Sequence, residues 1–235
     1  MKYFVVLTLL FLISCGNPNK GVETNAKLSD LKFELDSVKI GNKIFSIDSI
    51  SRIDFEKLDA TKFDRDEERN LLKDSAGVKR IGDSLFFKIS NGRTATLVNT
   101  KGENYGSYLY LGKLNDIGQY LIQGSFDEWS SNYLISEVTG DTTEMCGLPV
   151  VSPDRKLLIS GNADLIAGFS INGFDLFEIE NKSLRKAGRR ELSDWGPEEI
   201  KWVNENEILA KIRIRLTGET KGALEETKFI ELKLK

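Results

Sequence analysis

The stretch Val151-Ser152-Pro153-Asp154-Arg155-Lys156-Leu157-Leu158 has apolar ends on either side of a short polar turn. Pro153 fixes φ early in such a turn, and the Asp154 carboxylate can accept a hydrogen bond from a backbone amide two residues further on. Apolar, β-branched runs on both sides of a turn are typical of a β-hairpin. We therefore predict two antiparallel strands within residues 148–160.

A unit of hairpin, loop and strand recurs around this stretch. Strand-like segments begin at Tyr133, Asp175 and Lys228, which are 42 and 53 residues apart, and residues 200–210 repeat the hairpin pattern. A propeller blade of four strands occupies about 40–50 residues. The spacing therefore predicts an all-β fold with propeller-like β-hairpin repeats over residues 105–235.

The turn at residues 152–156 also resembles the Ser-Pro-Asp-Gly-Lys turn that joins two strands of a blade in TolB-type and WD40-like β-propellers. Arg155 stands where that family has Gly, and the second copy of the turn, at residues 203–207, has no Pro. The resemblance covers roughly residues 105–235, and it implies a fold but no activity.

The number of repeats does not determine how the sheets assemble. Residues 105–235 hold about two and a half units, whereas propellers usually have at least about four blades. Residues 30–104 could add further irregular blades, the propeller could be open and incomplete, or the strands could form a sandwich. All three arrangements are all-β.

Residues 28–104 are predicted to form an N-terminal β-rich part. Alternating apolar and polar residues over 33–53 predict an early pair of strands. Residues 84–98 predict a hairpin, whose Asn91-Gly92 pair suits a type I′ turn because both residues tolerate positive φ. Early acidic and later apolar residues predict a short helix near residues 61–73.

The composition excludes several classes of function. With 33 basic and 36 acidic residues and no histidine, the chain offers no basic face for nucleic acid, no Ser-His or Cys-His pair, and no imidazole ligand for zinc or copper. Residues 82–85 spell the signature of GDSL-type esterases, but that triad needs a His, so we interpret them as a turn into a strand. The carboxylates of residues 64–68 lack the Gly of a calcium loop, since Arg69 occupies its position, and predict a solvated helix face. No metal or cofactor is expected.

The first residues have the parts of a secretory signal peptide: the basic Lys2, then an apolar run over residues 4–13 that is too short to span a bilayer. Leu12-Ile13-Ser14-Cys15 resembles the bacterial lipobox. That resemblance implies that residues 1–14 are removed and that diacylglycerol, with fatty acyl chains such as palmitate, is attached to the Cys15 sulfur. With Cys15 lipidated, Cys146 has no disulfide partner, and we interpret it as a small buried hydrophobe.

Residues 15–27 are predicted to be the lipidated Cys and a flexible tether, since they are polar and lack an apolar period. The chain is therefore expected in the cell envelope, held to the membrane by lipid. Gly16 follows the Cys where the sorting rule of enteric bacteria would need Asp for inner-membrane retention, which favours the outer membrane. Residues 146–149 and 194–198 are also similar to uncharacterised small lipoproteins of Bacteroidetes-type bacteria.

Two loops pair a tryptophan with carboxylates. Asp127 and Glu128 precede Trp129, and Trp195 is followed by Glu198. A ring can stack on a sugar while carboxylates accept its hydroxyls, so these tryptophans and Asp127 are candidate ligand contacts; packing of both rings against a sheet is the alternative.

Asp164 and Asn172 are further candidates, because they lie in the Gly- and Asn-containing loop of residues 161–173. Loops on a rigid scaffold often carry binding residues. Turn formation is the equally good alternative for both side chains.

These observations favour a non-catalytic binding or scaffold module that contacts another envelope protein or a glycan. Two observations support this expectation. The sequence offers no credible nucleophile–base pair, and repeats of this kind usually build interaction surfaces. The alternative is a carboxylate-dependent hydrolase acting on envelope or environmental glycans, with Asp127, Glu128 or Glu198 as candidates.

The lipobox assignment predicts that Cys15→Ser abolishes lipidation, because the serine hydroxyl cannot replace the sulfur that carries the lipid. The measurement is incorporation of labelled palmitate into the chain in producing cells, followed by separation of membranes. Cys146→Ser is the matched control and should keep its label. A labelled Cys15→Ser protein would contradict the assignment.

Overall fold

The computed structural model describes residues 36–216 and 224–235. The predicted signal peptide, Cys15 and tether lie outside the described residues. The described chain is all-β, as predicted, with short α1 (Arg52–Glu56) and α2 (Glu67–Lys73). Its strands are β1 (Ser37–Ile40), β2 (Lys43–Ser49), β3 (Val78–Ile81), β4 (Ser84–Lys88), β5 (Thr94–Val98), β6 (Gly106–Leu114), β7 (Gln119–Phe126), β8 (Ser130–Ser136), β9 (Thr142–Met145), β10 (Pro149–Val151), β11 (Leu157–Asn162), β12 (Gly173–Glu180), β13 (Ser183–Glu191), β14 (Trp195–Asn204), β15 (Glu207–Leu216) and β16 (Leu224–Leu234).

Within the described ranges these strands form four antiparallel sheets, with the orders β3-β4-β5, β6-β7-β8-β9, β10-β11-β12-β13 and β14-β15-β16-β2-β1. The recurring strands of the sequence, which contain Tyr133, Asp175 and Lys228, are β8, β12 and β16, the third strand of three successive sheets. The two predicted hairpins are β10–β11 and β14–β15, the first two strands of their sheets. The repeat in the sequence thus corresponds to a repeated sheet position.

The last sheet joins both ends of the described chain. β2 pairs with β16 from Ser49 opposite Ile230 to Phe45 opposite Leu234, and β1 adds to the outer side of β2. The Gly41 turn between β1 and β2 packs against β13, where Gly41 approaches Ala187 and Gly188. The first two strands therefore complete the C-terminal sheet and also contact the β10–β13 sheet.

The turn that carries the propeller resemblance has a tight hydrogen-bonded form. The Arg155 amide donates to the Ser152 carbonyl at 2.9 Å, and the Ser152 amide donates to the Leu157 carbonyl at 2.8 Å. Arg155 has a φ of 60°, in the left-handed region where Gly is favoured. The Asp154 carboxylate accepts from the Lys156 amide at 3.1 Å, as its residue type predicts.

Two local predictions in the N-terminal part were wrong. The strand alternation predicted to reach residue 53 is wrong for residues 52 and 53, which begin α1. The Ser51 side chain caps this helix by accepting from the Asp54 amide at 3.1 Å. In the β4–β5 hairpin, which is confirmed, Gly92 has a φ of 84° but Asn91 does not have positive φ, so the turn is not type I′. The loop spans residues 89–93, longer than a two-residue turn allows.

The helix predicted near residues 61–73 is present but shorter, since α2 begins only after Asp66, whose side chain caps it by accepting from the Arg69 amide at 3.1 Å. The prediction that the carboxylates of residues 64–68 lie on a solvated helix face is wrong for Glu67. That carboxylate accepts from Arg80 at 2.7 and 2.8 Å and from the Tyr110 amide at 2.7 Å, so it ties α2 to β3 and β6.

Successive sheets are joined by buried apolar clusters. One cluster packs the β3–β5 sheet on the β6–β9 sheet through residues such as Phe87, Tyr110 and Tyr120, and another packs the β6–β9 sheet on the β10–β13 sheet through Leu134 and Phe177. β11 then contacts β14 of the last sheet. The irregular segment 57–66, between α1 and α2, places Phe63 against the second cluster.

The turn at Gly41 makes a prediction that a matched glycine can check. Gly41 and Gly82 both have left-handed φ, +61° and +56°, but a Cβ at Gly41 would lie 2.0 Å from the Ala187 carbonyl oxygen, whereas a Cβ at Gly82 meets nothing within 4 Å. Gly82→Ala should lower the free energy of unfolding by about 1 kcal/mol, from backbone strain alone. Gly41→Ala should lower it by about 3 kcal/mol or more, because steric overlap adds to the strain. Urea unfolding measures both, and equal losses would contradict the close packing of this turn on β13.

Candidate functional site

A polar cavity of about 280 Å³ lies where three sheets and segment 57–66 meet. The β6–β9 sheet contributes polar side chains from β7 and β8, the β10–β13 sheet contributes the end of β11, and β14 contributes two carboxylates. These polar lining residues are Gln123, Ser130, Asn132, Asn162, Glu198 and Glu199. Segment 57–66 covers part of the cavity with Ala60, Thr61 and Phe63.

Asn132 is the most unusual of these residues. Its side chain is only 8% exposed, and among the residues that the structure describes its Oδ1 has no hydrogen-bond partner. Leaving a buried polar atom unpaired costs about 1–3 kcal/mol, which is a large fraction of a protein's net stability. The atom itself is buried beneath the cavity surface, so Asn132 leaves an unpaired acceptor inside the protein.

The neighbouring amides are held in place by hydrogen bonds. The Gln123 Oε1 accepts from the Arg65 guanidinium at 2.5 Å, which fixes segment 57–66 to β7. Asn162 Nδ2 donates to the Ile171 carbonyl at 3.0 Å, and the Ser170 hydroxyl donates to the Ser130 carbonyl at 3.4 Å. The loop between β11 and β12 is thereby tied to the edge of the cavity.

Glu198 and Glu199 both line the cavity although they are adjacent in β14. The register of β14 against β15 shifts between Pro197 and Glu199, and the resulting bulge breaks the alternation that would send neighbouring side chains to opposite faces. Glu198 pairs with Lys211 at 3.1 Å and with Arg213 at 3.0 Å. Both carboxylates are therefore directed to one region of the molecule by a local irregularity in the strand.

Glu199 is paired with Lys201, a lysine only 6% exposed. The Lys201 Nζ lies 3.3 Å from the Glu199 carboxylate, donates to the Phe55 and Leu58 carbonyls at 3.1 and 2.8 Å, and sits 3.7 Å from the centre of the Phe55 ring. Lysine at the C-terminal end of a helix satisfies carbonyls that lack helical partners. Lys201 thereby fixes the end of α1 and the start of segment 57–66.

The protonation of Glu198 argues against one catalytic role. The hydrogen bond from Arg213, with a further one from Lys211, holds the pKa of Glu198 below its usual value, although burial acts in the opposite direction. A carboxyl group that protonates a glycosidic oxygen needs a raised pKa. Glu198 is therefore ionised at neutral pH and poorly suited to act as a general acid.

Cys146 forms part of another wall and is buried, as predicted. Its amide donates to the Asp175 carboxylate at 2.9 Å. Burial, together with the nearby Asp175 charge, raises the pKa of the Cys146 thiol to about 12. A protonated buried thiol is a poor nucleophile, so its role here is in packing.

The tryptophans and carboxylates predicted from the sequence lie mostly elsewhere. Asp127, Glu128 and Trp129 form the exposed turn between β7 and β8, where the Trp129 ring, 42% exposed, stacks on Phe126 with 4.0 Å between ring centres. Trp195 is only 6% exposed and meets the Phe174 ring edge to face at 5.9 Å. This placement favours the packing interpretation for Trp195, since a buried ring offers no face to a sugar.

Asp164 and Asn172 organise the loop that contains them. The Asp164 carboxylate accepts from the Gly168 and Ser170 amides at 2.9 and 2.7 Å. Asn172 donates to the Leu192 and Trp195 carbonyls at 2.6 and 2.8 Å and accepts from the Asp164 amide at 3.2 Å. Their hydrogen bonds fit the turn-forming alternative.

Among the candidates named from the sequence, Glu198 lines the described cavity, while the sequence reasoning missed Gln123, Asn132 and Asn162. In the sequence, Asn and Gln residues inside strands look like ordinary polar positions. No local pattern distinguishes an amide that lines a cavity from one that faces solvent. A weak clue is the run from Ser130 to Asn132, because three consecutive polar residues at the start of an otherwise apolar strand break its alternation.

Because Asn132 Oδ1 has no hydrogen-bond partner among the described residues, we expect an unusual change in stability when an apolar residue replaces Asn132. Asn132→Leu should leave the free energy of unfolding unchanged or raise it by about 1 kcal/mol, because it removes an unpaired acceptor. The matched control is Asn70→Leu: Asn70 is also buried, but its Nδ2 donates to the Asp64 carbonyl at 2.8 Å, so about 2 kcal/mol should be lost. Thermal and urea unfolding compare the two. A loss at Asn132 as large as at Asn70 would mean that Asn132 serves the fold.

The cavity lining combines amide, hydroxyl and carboxylate groups with apolar side chains. In the described parts of the chain, no group of three or more Asp, Glu or Cys side chains is placed to hold a metal ion.

Within residues 36–216 and 224–235, no helix has the length and apolar character needed to cross a bilayer. Comparison of the chain with protein-family models, with curated proteins and with solved structures gives no match.

Proposed function

We propose that this chain is a lipid-anchored lipoprotein of the bacterial envelope that acts as a non-catalytic binding module. The lipid on Cys15 would hold it to the membrane, the outer membrane being favoured by Gly16. The observation that carries the binding role is the polar cavity that side chains from three sheets line. Pockets that place a few polar groups beside apolar surface are the usual sites of small-molecule binding.

We further infer that the sheets act as irregular blades of a propeller-like scaffold. Successive sheets pack in chain order through shared apolar clusters, and the recurring third strands β8, β12 and β16 have equivalent places in three of them. Ligand sites are often built where several such elements meet, because each contributes side chains on a rigid support. The cavity has this character, since residues from three sheets line it.

A carboxylate-dependent hydrolase is the second candidate, because Glu198 and Glu199 share the cavity wall. The ion pairs of Glu198 with Lys211 and Arg213 oppose it, since they keep that carboxyl ionised. If the site hydrolysed glycans, Glu198→Gln would abolish release of reducing ends from envelope polysaccharide, whereas Asp127→Asn, in the exposed turn, would not. A binding module releases none in any form.

The binding role is tested by photo-crosslinking in cells that make the full lipidated chain. A benzophenone amino acid replaces Ser130 at the edge of the cavity, and in a control it replaces Asn206 in the exposed turn beyond β14, roughly 20 Å along the strand from Glu199. A defined adduct, identified by mass spectrometry, is expected from position 130 and not from position 206. No adduct at position 130, in cells where the protein is abundant and folded, would count against a binding function.

A further inference from the structure

We propose that two copies of this chain pair through the outer edge of the β3–β5 sheet, with β5 of one copy antiparallel to β5 of the other and Thr96 on the two-fold axis. β5 contributes no residue to the polar cavity, so this pairing is a property separate from the proposed binding role. Three features of β5 support it: an unpaired edge, a strand position that is filled in the other sheets, and side chains that match a second copy.

The first feature is the unpaired edge. In the ladder with β4, the Asn99 amide donates to the Asp83 carbonyl at 2.8 Å. Hydrogen-bonded pairs alternate along an antiparallel ladder, so every second residue of β5 directs its amide and carbonyl away from β4. These residues are Thr94, Thr96 and Val98. All three are exposed, and no described strand pairs with β5 on that side.

The second feature is the position of β5 in its sheet. In the other three sheets a fourth strand continues beyond the third, namely β9, β13 and β2. β5 is the third strand of its sheet, and the sheet ends there. A β5 strand from a second copy would take the fourth position and join two three-stranded sheets into one of six strands. The architecture thus has a place for one added strand at this edge.

β5 also lacks the charges that other outer strands carry. β9 has Glu144, β1 has Lys39, and β13 has four basic residues within 185–190. Charged side chains on an edge strand oppose pairing with another copy, because like charges would meet across the contact. The five residues of β5 are all uncharged. Among the outer strands of the described sheets, β5 is therefore the one without this protection.

The third feature is the match of β5 with itself in one register. With Thr96 opposite Thr96 of the second copy, Thr94 lies opposite Val98 and Ala95 opposite Leu97, each contact occurring twice about the axis. β-branched residues then meet on the exposed face, which stabilises a strand pair. On the other face, Ala95 and Leu97 are half-buried against the first apolar cluster, and the second strand would cover the rest of their surface. This match favours a second copy over an unrelated strand.

Cysteine crosslinking of the full chain in producing cells tests the pairing. Opposite residues of a hydrogen-bonded antiparallel pair have Cα atoms about 5.5 Å apart, within the disulfide range of about 4.4–6.8 Å. Thr96→Cys should therefore give a disulfide-linked dimer on mild oxidation, seen on a non-reducing gel and lost on reduction. Thr142→Cys, at an exposed position of the outer strand β9, is the matched control and should stay monomeric. The unsubstituted chain, with Cys15 and the buried Cys146, gives the background.

A second set of variants tests the register independently. Thr94→Cys and Val98→Cys copies produced together should crosslink, because the two positions lie opposite each other. Neither variant should crosslink alone, since its two cysteines would be four residues apart along the strands, about 14 Å. Thr96→Lys added to both copies should abolish the mixed crosslink, because it brings two like charges to the axis. Thr142→Lys in the same background should leave the crosslink unchanged.

Three results would overturn the pairing: no Thr96→Cys dimer in cells where the protein is abundant and folded, an equal dimer yield from Thr142→Cys, or a mixed crosslink that survives Thr96→Lys. A disulfide from Thr96→Cys to a different protein would also overturn it and would assign this edge to a strand of that partner.

Discussion

The structure depends on a carboxylate that is fully buried in β12. Asp175 is 0% exposed, yet it accepts two hydrogen bonds from Arg189 at 2.7 Å, pairs with Lys186 at 2.9 Å, and accepts from the Cys146 amide at 2.9 Å. Burial alone would raise its pKa, but the bonds from Arg189 and Lys186 outweigh this effect and hold the pKa below its usual value. A buried charge is tolerated only with such partners. The stabilisation is present above the unfolded-state pKa and is lost as the pH falls through the lower, folded-state value.

Asp175 matters to the cavity because it holds the segment around Cys146, which forms one of the cavity walls. Cys146 and Gly147 connect β9 to β10, and Gly147 passes so close to β11 that a Cβ would lie 1.9 Å from the Gly161 carbonyl oxygen. The wall is thus fixed on one side by a charge and on the other by backbone packing. A rigid wall loses little conformational entropy when a ligand binds to it. A small site with rigid walls can therefore bind a ligand with a small contact area.

The sequence was informative where the physics is local. The Pro153-Asp154 turn, the recurring strands and the burial of Cys146 follow from residue type and spacing, and the structure contains all three. It was misleading at residues 52 and 53, where a capped helix begins instead of the predicted strand continuing. Pairing of β2 with β16 and the meeting of Gln123, Asn132 and Glu199 depend on contacts between distant parts of the chain, for which one sequence carries no local pattern. Trp195 shows the same limit, because a ring beside carboxylates looks like a ligand site until its neighbour Phe174 is known.

The pairing of β2 with β16 has a consequence for the order of events during synthesis. Ser49 pairs with Ile230, a partner 181 positions later in the chain. Whether the chain emerges from the ribosome or from the export machinery, its N-terminal hairpin of β1 and β2 is therefore available long before β16. Until then one edge of β2 has unsatisfied amides and carbonyls, the kind of edge that pairs with other chains. Contacts of such long sequence separation also slow folding. The folding chain therefore passes through a stage in which most of its sheets can form while its two ends are unjoined, and in that interval the free edge of β2 can pair with other chains.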